Sequence, residues 1–167
     1  MDRSEFLAGK ATPLMAAGAL FFNEAGHVLL VEPTYKNYRD IPGGYVEQGE
    51  SPLQTCVREL REELDIAPPI GRLLAMDWAP SDAEGDKILY LFDGGVLDQA
   101  ALDRMVFKDG EIRAVAFHAV SEIPSLTIPR LARRIEQAVQ ARERNETLYL
   151  EHGSIPESRS SSAATTP

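Results

Sequence analysis

The chain is predicted to adopt an α/β fold, on three observations. Short runs rich in β-branched and apolar residues recur along it, and two longer segments carry apolar residues at helical spacing. Breaks rich in glycine, proline or polar residues separate the two kinds. At 167 residues the chain is long enough to bury one good core, which suits a single domain.

The elements follow in order. Residues 1–11 read as a polar N-terminal extension, and 12–152 as the domain. Thr12 to Phe22 is small and apolar, Asn23 to Gly26 gives a turn, and His27 to Glu32 supplies a second apolar run, so two strands joined as a hairpin are predicted. Pro33 to Asp40 is a polar, aromatic loop leading to a short strand around Ile41, after which Gly43, Gly44 and Gly49 interrupt regular structure. A helix opens at Ser51 and Pro52, an N-cap hydroxyl followed by proline at the first helical position. Its apolar stripe is Leu53, Cys56, Val57, Leu60 and Leu64, and Pro68 and Pro69 are expected to end it.

Ile70 to Trp78, Ile88 to Val96 and Glu111 to Val120 read as further strands, with Ala79 to Lys87 as a polar loop; Trp78 and Phe117 are assigned to the core. Ile128 to Arg144 reads as a second helix with Leu131, Ile135, Ala138 and Val139 inward. Its arginines, Arg130, Arg133, Arg134, Arg142 and Arg144, are expected to face solvent. Residues 153–167, rich in Ser, Thr, Ala and Pro, are expected to be disordered.

The first helix also carries Glu59, Glu62 and Glu63 within about one turn, centred roughly 120° from the apolar stripe. Like charges so placed repel by a few tenths of a kcal/mol per pair. A hard divalent cation with oxygen ligands relieves that crowding, so the segment reads as a metal site built to handle phosphate.

Composition narrows the function classes. With 17 basic and 26 acidic residues the formal charge is -9, which argues against non-specific binding to nucleic acid or an anionic membrane. A small polyanion remains admissible if cations accompany it. No signal core and no run of roughly 18 apolar residues is present, so a cytoplasmic protein is expected. The single cysteine, Cys56, reads as a small apolar residue on the helix face. His27, His118 and His152 show no ligand spacing. There is no nucleophile elbow, Walker-type phosphate loop or dinucleotide fingerprint.

Written as spacing, the central segment is Gly44, five residues, Glu50, seven residues, then Arg58 through Ile66 as RELREELDI. This resembles the signature of the Nudix hydrolases at every defined position but one: Asp65 stands where that family usually has glycine. Aspartate tolerates a left-handed helix cap better than most residues, though less well than glycine. The resemblance implies an α/β/α sandwich with a mixed β-sheet between helices. It implies that Glu59, Glu62 and Glu63 hold Mg2+ or Mn2+ with a backbone carbonyl near Gly43, that Arg58 orients the carboxylates, and that Glu50 supports the turn or the metal shell. Glu111, before Ile112, is the best match for a further acid, with Glu84 and Asp86 as weaker candidates.

The implied reaction is hydrolysis of a phosphoanhydride, with Glu63 or Glu59 as the base that removes a proton from water. Tyr35, Lys36, Tyr38 and Arg39 are placed to stack on a base and contact phosphate, and Gly44 and Glu50 are assigned to the substrate side. Nucleoside triphosphates, oxidised nucleotides, ADP-ribose and nucleotide sugars are all admitted. The alternative is a non-catalytic Nudix-fold module that binds a nucleotide as a sensor; such modules tend to lose motif carboxylates, which this chain keeps. Oligomeric state is not legible, and because many relatives are dimers a homodimer is admitted.

Overall fold

The computed structural model describes residues 2–157. Its frame is a seven-stranded mixed sheet of order β6-β2-β1-β5-β4-β7, with β3 alongside β1. The strands are β1 (Leu14–Phe22), β2 (Val28–Pro33), β3 (Gly43–Tyr45), β4 (Leu73–Trp78), β5 (Lys87–Val96), β6 (Ile112–His118) and β7 (Leu148–Glu151). The helices are α1 (Arg3–Ala8), α2 (Pro52–Leu64), α3 (Gln99–Asp103), α4 (Ile123–Leu126) and α5 (Pro129–Glu143). Among the described residues no helix is long and apolar enough to cross a membrane.

Alternation along β1 divides the core between the two faces of the sheet. Leu20 and Phe22 pack with Leu30, Leu74, Leu91 and, from α5, Leu131, Ile135 and Ala138. Ala19 and Phe21 pack with Leu29 and, from α2, Cys56, Leu60 and Leu64. Helices therefore cover both faces of a mixed sheet, as the sandwich requires. The predicted hairpin joins β1 and β2 antiparallel, its turn tied by the Asn23 side chain, which accepts from the backbone of Ala25 and His27 at 3.0 Å each.

Several expectations change. The short strand falls on Gly43 to Tyr45 instead of around Ile41, pairing antiparallel with Ala16 to Gly18 of β1. Glycine permits this rather than preventing it. A Cβ on Gly18 would stand 2.6 Å from the Pro42 carbonyl oxygen, and one on Gly43, at φ 147°, would overlap the Ala17 carbonyl. Helix α2 stops three residues before the prolines, at Asp65 in the left-handed conformation (φ 56°, ψ 38°), whose N–H is donated to Arg61 and Leu60. Leu53, in the first turn of α2, is exposed and does not join the buried stripe.

Two arginines of α5 are tied into ion pairs across the sheet, one of them buried. Arg134 is buried in an ion pair with Asp77 of β4, and Arg142 pairs with Asp93 at 3.0 Å over the Phe22 ring. The helices α1, α3 and α4 and the strand β7 were not expected. Phe117 packs against the α2-side core, whereas Trp78 is half-buried and joins neither cluster. The disorder expected of 153–167 mostly concerns residues 158–167, which lie outside the described residues. Gly153 and Ser154 are held: the first is buried and donates to Asp77, the second bridges Glu151.

Candidate active site

Helix α2 is fixed before any chemistry is considered. Ser51 and Gln54 form a reciprocal capping box at its start, and its apolar stripe sets the rotation about the axis. That rotation does not treat the three glutamates alike. Glu62 faces solvent, Glu59 is half-buried, and Glu63 turns against the sheet with 3% exposure. One Glu63 oxygen accepts the Gly43 N–H at 3.0 Å, tying the helix to β3.

Arg58 is the hub of the surface. Glu50 receives its Nε and Nη2 at 2.8 and 3.0 Å, a two-point pairing that holds the guanidinium plane, and the Thr55 hydroxyl adds a bond at 2.7 Å. Nη1 then reaches Glu59 at 2.8 Å and Glu62 at 3.0 Å, while Nη2 also donates to the Tyr45 carbonyl at 3.1 Å. Gly44 completes the frame, because the Glu59 carboxyl group lies where its Cβ would be.

The electrostatics follow from this layout. Arg58 and Thr55 pull the Glu50 acid down to about 2, and Arg58 itself is held charged by Glu50 and Glu59. Burial pushes Glu63 up to about 8, against the opposing bond from Gly43, and the charges of Glu59, Asp40 and Asp109 add to the rise. Burial raises Glu59 as well, with Arg58 opposing.

A cavity of about 480 Å3 opens beside these acids. Glu59, Glu62, Glu63, Asp109 and Glu111 line it with Arg58, Gly43 and Gly44. Tyr35, Lys36 and Tyr38 also line it, so the structure brings the upstream loop to the carboxylates. Arg39 lies apart: it pairs with Glu32 at 3.5 Å and lines a separate, smaller cavity. Glu50 is not in the wall and acts through Arg58. Glu84 and Asp86 are outside the wall too; Glu84 is bonded to Tyr45 and Lys87. Sequence reasoning missed Asp40, Asp109, Lys87, Arg130 and Arg134 as lining residues. Only topology assembles them, since they come from loops, from β5 and from α5.

Among the described residues, no three His, Cys, Asp or Glu side chains are grouped so as to hold a metal ion. Arg58 is bonded to one oxygen each of Glu59 and Glu62, and the Gly43 N–H to one of Glu63. The donor set nonetheless suits a hard divalent cation, being carboxylate oxygens at one end of an open cavity. Burial and neighbouring acids favour the uncharged form of Glu63, a condition that a cation placed among them reverses.

The chain is similar to known proteins in sequence and in fold. Over 81 residues, 46% of the chain, it is 32% identical to an RNA pyrophosphohydrolase of Roseobacter denitrificans, of which the match covers 51%. Over 71 residues, 41% of the chain, it is 38% identical to a probable DHNTP pyrophosphohydrolase of Lactococcus lactis subsp. cremoris, of which the match covers 42%. The chain thus spans about half the length of each relative. Among solved structures, the NUDIX domain of Shewanella oneidensis NrtR, determined with ADP-ribose, superposes with a TM-score of 0.63 at 23% identity, over 87% of this chain and 99% of that one. At that identity the likeness is one of fold. The model of the NUDIX domain matches residues 12–140, and this chain belongs to the Nudix family.

Proposed function

We propose that this chain is a hydrolase that cuts a pyrophosphate linkage in a nucleoside triphosphate or in a nucleoside diphosphate joined to another group, with Mg2+ or Mn2+. The observation that carries this reading is the acidic lining of the cavity, which includes Glu59, Glu62, Glu63 and Glu111, with Arg58 bonded to two of them. Both relatives are named for pyrophosphohydrolase activity, which supports the bond class and leaves the substrate open.

Glu59, Glu62 and Glu63 would hold the ion, with Glu111 as a further oxygen donor from the loop just before β6. The bound ion supplies charge neutralisation on the phosphate oxygens and a more acidic water. Glu63 or Glu59 accepts the proton as water adds to phosphorus and the bond to the departing phosphate breaks. Arg58, locked by Glu50, keeps Glu59 and Glu62 from separating. Tyr35 and Tyr38 offer aromatic faces to a base at the cavity wall.

The test is a screen of nucleotide phosphoanhydrides with Mg2+ and Mn2+, reading released phosphate and pyrophosphate. Turnover that EDTA abolishes is the expected result. Binding of nucleotides with no turnover under either ion would favour the sensor reading and overturn this one.

A further inference from the structure

The cavity does not end at the carboxylates. It extends to α5, where Arg130 and Arg134 line it. These residues are one helical turn apart, so their side chains share a face and their like charges repel. Arg134 is only 5% exposed. Its Nε donates to Asp77 at 2.5 Å, but its Nη2 is buried and has no hydrogen-bond partner among the described residues. One Asp77 oxygen accepts that Nε–H and the other the Gly153 N–H at 3.0 Å, and neither is bonded to Nη2. A buried donor without an acceptor costs free energy that a ligand oxygen would recover.

The charge balance points the same way. Besides Arg58, four cations line the cavity: Lys36, Lys87, Arg130 and Arg134. Lys36 is paired with Asp40, Lys87 with Glu84, and Arg134 with Asp77. Arg130 makes no ion pair among the described residues, and Glu84, the acid that feels its charge, is already bonded to Lys87 and Tyr45. One positive charge is therefore left over, next to an unused guanidinium donor. Planar forks of this kind bind carboxylate and phosphate oxygens in pairs.

We propose that Arg130 and Arg134 form an anion subsite that receives a carboxylate or phosphate that the substrate carries besides its pyrophosphate. Asp77 is the positioning residue that aims Arg134. This rests on the phosphoanhydride reading and narrows it to substrates with a further anionic group beyond the bond that is cut.

Two measurements test it separately from that reading. In the first, inorganic phosphate and acetate are titrated into the full chain in EDTA, where no cation can bridge an anion to the acidic end. Saturable binding that weakens about tenfold or more in Arg130→Gln and in Arg134→Lys is expected. Arg134→Lys keeps the charge beside Asp77, so the fold has its ion pair while the fork is lost. Binding absent from the wild type, or unchanged in both variants, overturns the subsite whatever the enzyme hydrolyses.

In the second, kcat/KM is compared within two pairs: a nucleoside diphosphate hexose against its uronate, and a nucleoside diphosphate ribose against its terminally phosphorylated form. The wild type should favour the anionic member of one pair by about tenfold or more, and the ratio should fall towards one in Arg130→Gln. The favoured pair tells carboxylate from phosphate. Equal rates within both pairs overturn the proposal while leaving the hydrolase intact. Anion binding that depends on Arg130, in a chain that cuts no phosphoanhydride, overturns the hydrolase and leaves the subsite.

Discussion

Gly44 has no side chain, and the carboxyl group of Glu59 occupies the space where one would be. A methyl group there would push Glu59 off its bond to Arg58, since the backbone of β3 is pinned to β1. Misplacing a catalytic group by about 1 Å costs about 100-fold in rate. Gly44→Ala should therefore lose about that factor in kcat while circular dichroism and Tm stay near the wild type; unaltered turnover would show that Glu59 needs no fixed position. Glu63 makes a different prediction. Its acid sits at about 8 in the metal-free chain, against an ordinary 4.5. Between those two values the folded form holds a proton that the unfolded form has released, so stability falls as pH rises through the window, and the loss is complete above about pH 8. Thermal melts in EDTA from pH 5 to 8 should show Tm declining, with Glu63→Gln flattening the decline. Parallel profiles for the two proteins would contradict the burial argument. The glutamates themselves were legible from spacing; that they grade from solvent to core was not, because the gradient is set by how the sheet meets α2.

Helix α2 is the element that the sequence describes best. The cap at Ser51, the proline at the first position and the stripe of Cys56, Leu60 and Leu64 all act locally, so they can be read without knowing what the helix touches. The stop at Asp65 is local as well, and testable. A left-handed residue with a Cβ is disfavoured by about 1–2 kcal/mol, less for aspartate than for alanine. Asp65→Ala should thus cost about 1 kcal/mol in urea unfolding, whereas Asp65→Gly should hold or gain stability. The exposed pair with Lys108 changes little, since surface ion pairs are worth about 0–1 kcal/mol. If alanine proved no worse than glycine, the cap would not be what ends the helix. Strand β3 was misread for the opposite reason. Its glycines look like breaks in isolation, and only the close approach of Gly43 to Ala17 and Gly18 and of Gly44 to the Glu59 carboxyl group explains them. Strand β7, four residues long, and the short helices α1 and α3 carry too little periodicity to be seen.

At the scale of the whole molecule, one buried ion pair joins three distant parts of the chain. Asp77 on β4 takes Arg134 of α5 on one oxygen and the Gly153 N–H, just past β7, on the other. The sequence reading put Arg134 in a solvated row because five arginines on one helix usually are solvated. The contrary signal was Asp77, an acid inside the apolar run LLAMDW, where the strand pattern leaves it no water and so requires a partner. The partner's identity depends on the fold, since 57 residues separate the two. Removing the acid strands the guanidinium in the core and frees the Gly153 amide, so Asp77→Ala should cost about 3–5 kcal/mol. Asp77→Asn keeps an acceptor for only one of the two donors and sets its NH2 against the other, so it should also destabilise, though less than alanine. Chemical denaturation of both variants distinguishes a staple from a packing site. If alanine and asparagine were equally mild, the pair would contribute nothing that neighbouring side chains do not already supply, and the edge formed by β4 and β7 would be held by its apolar contacts alone.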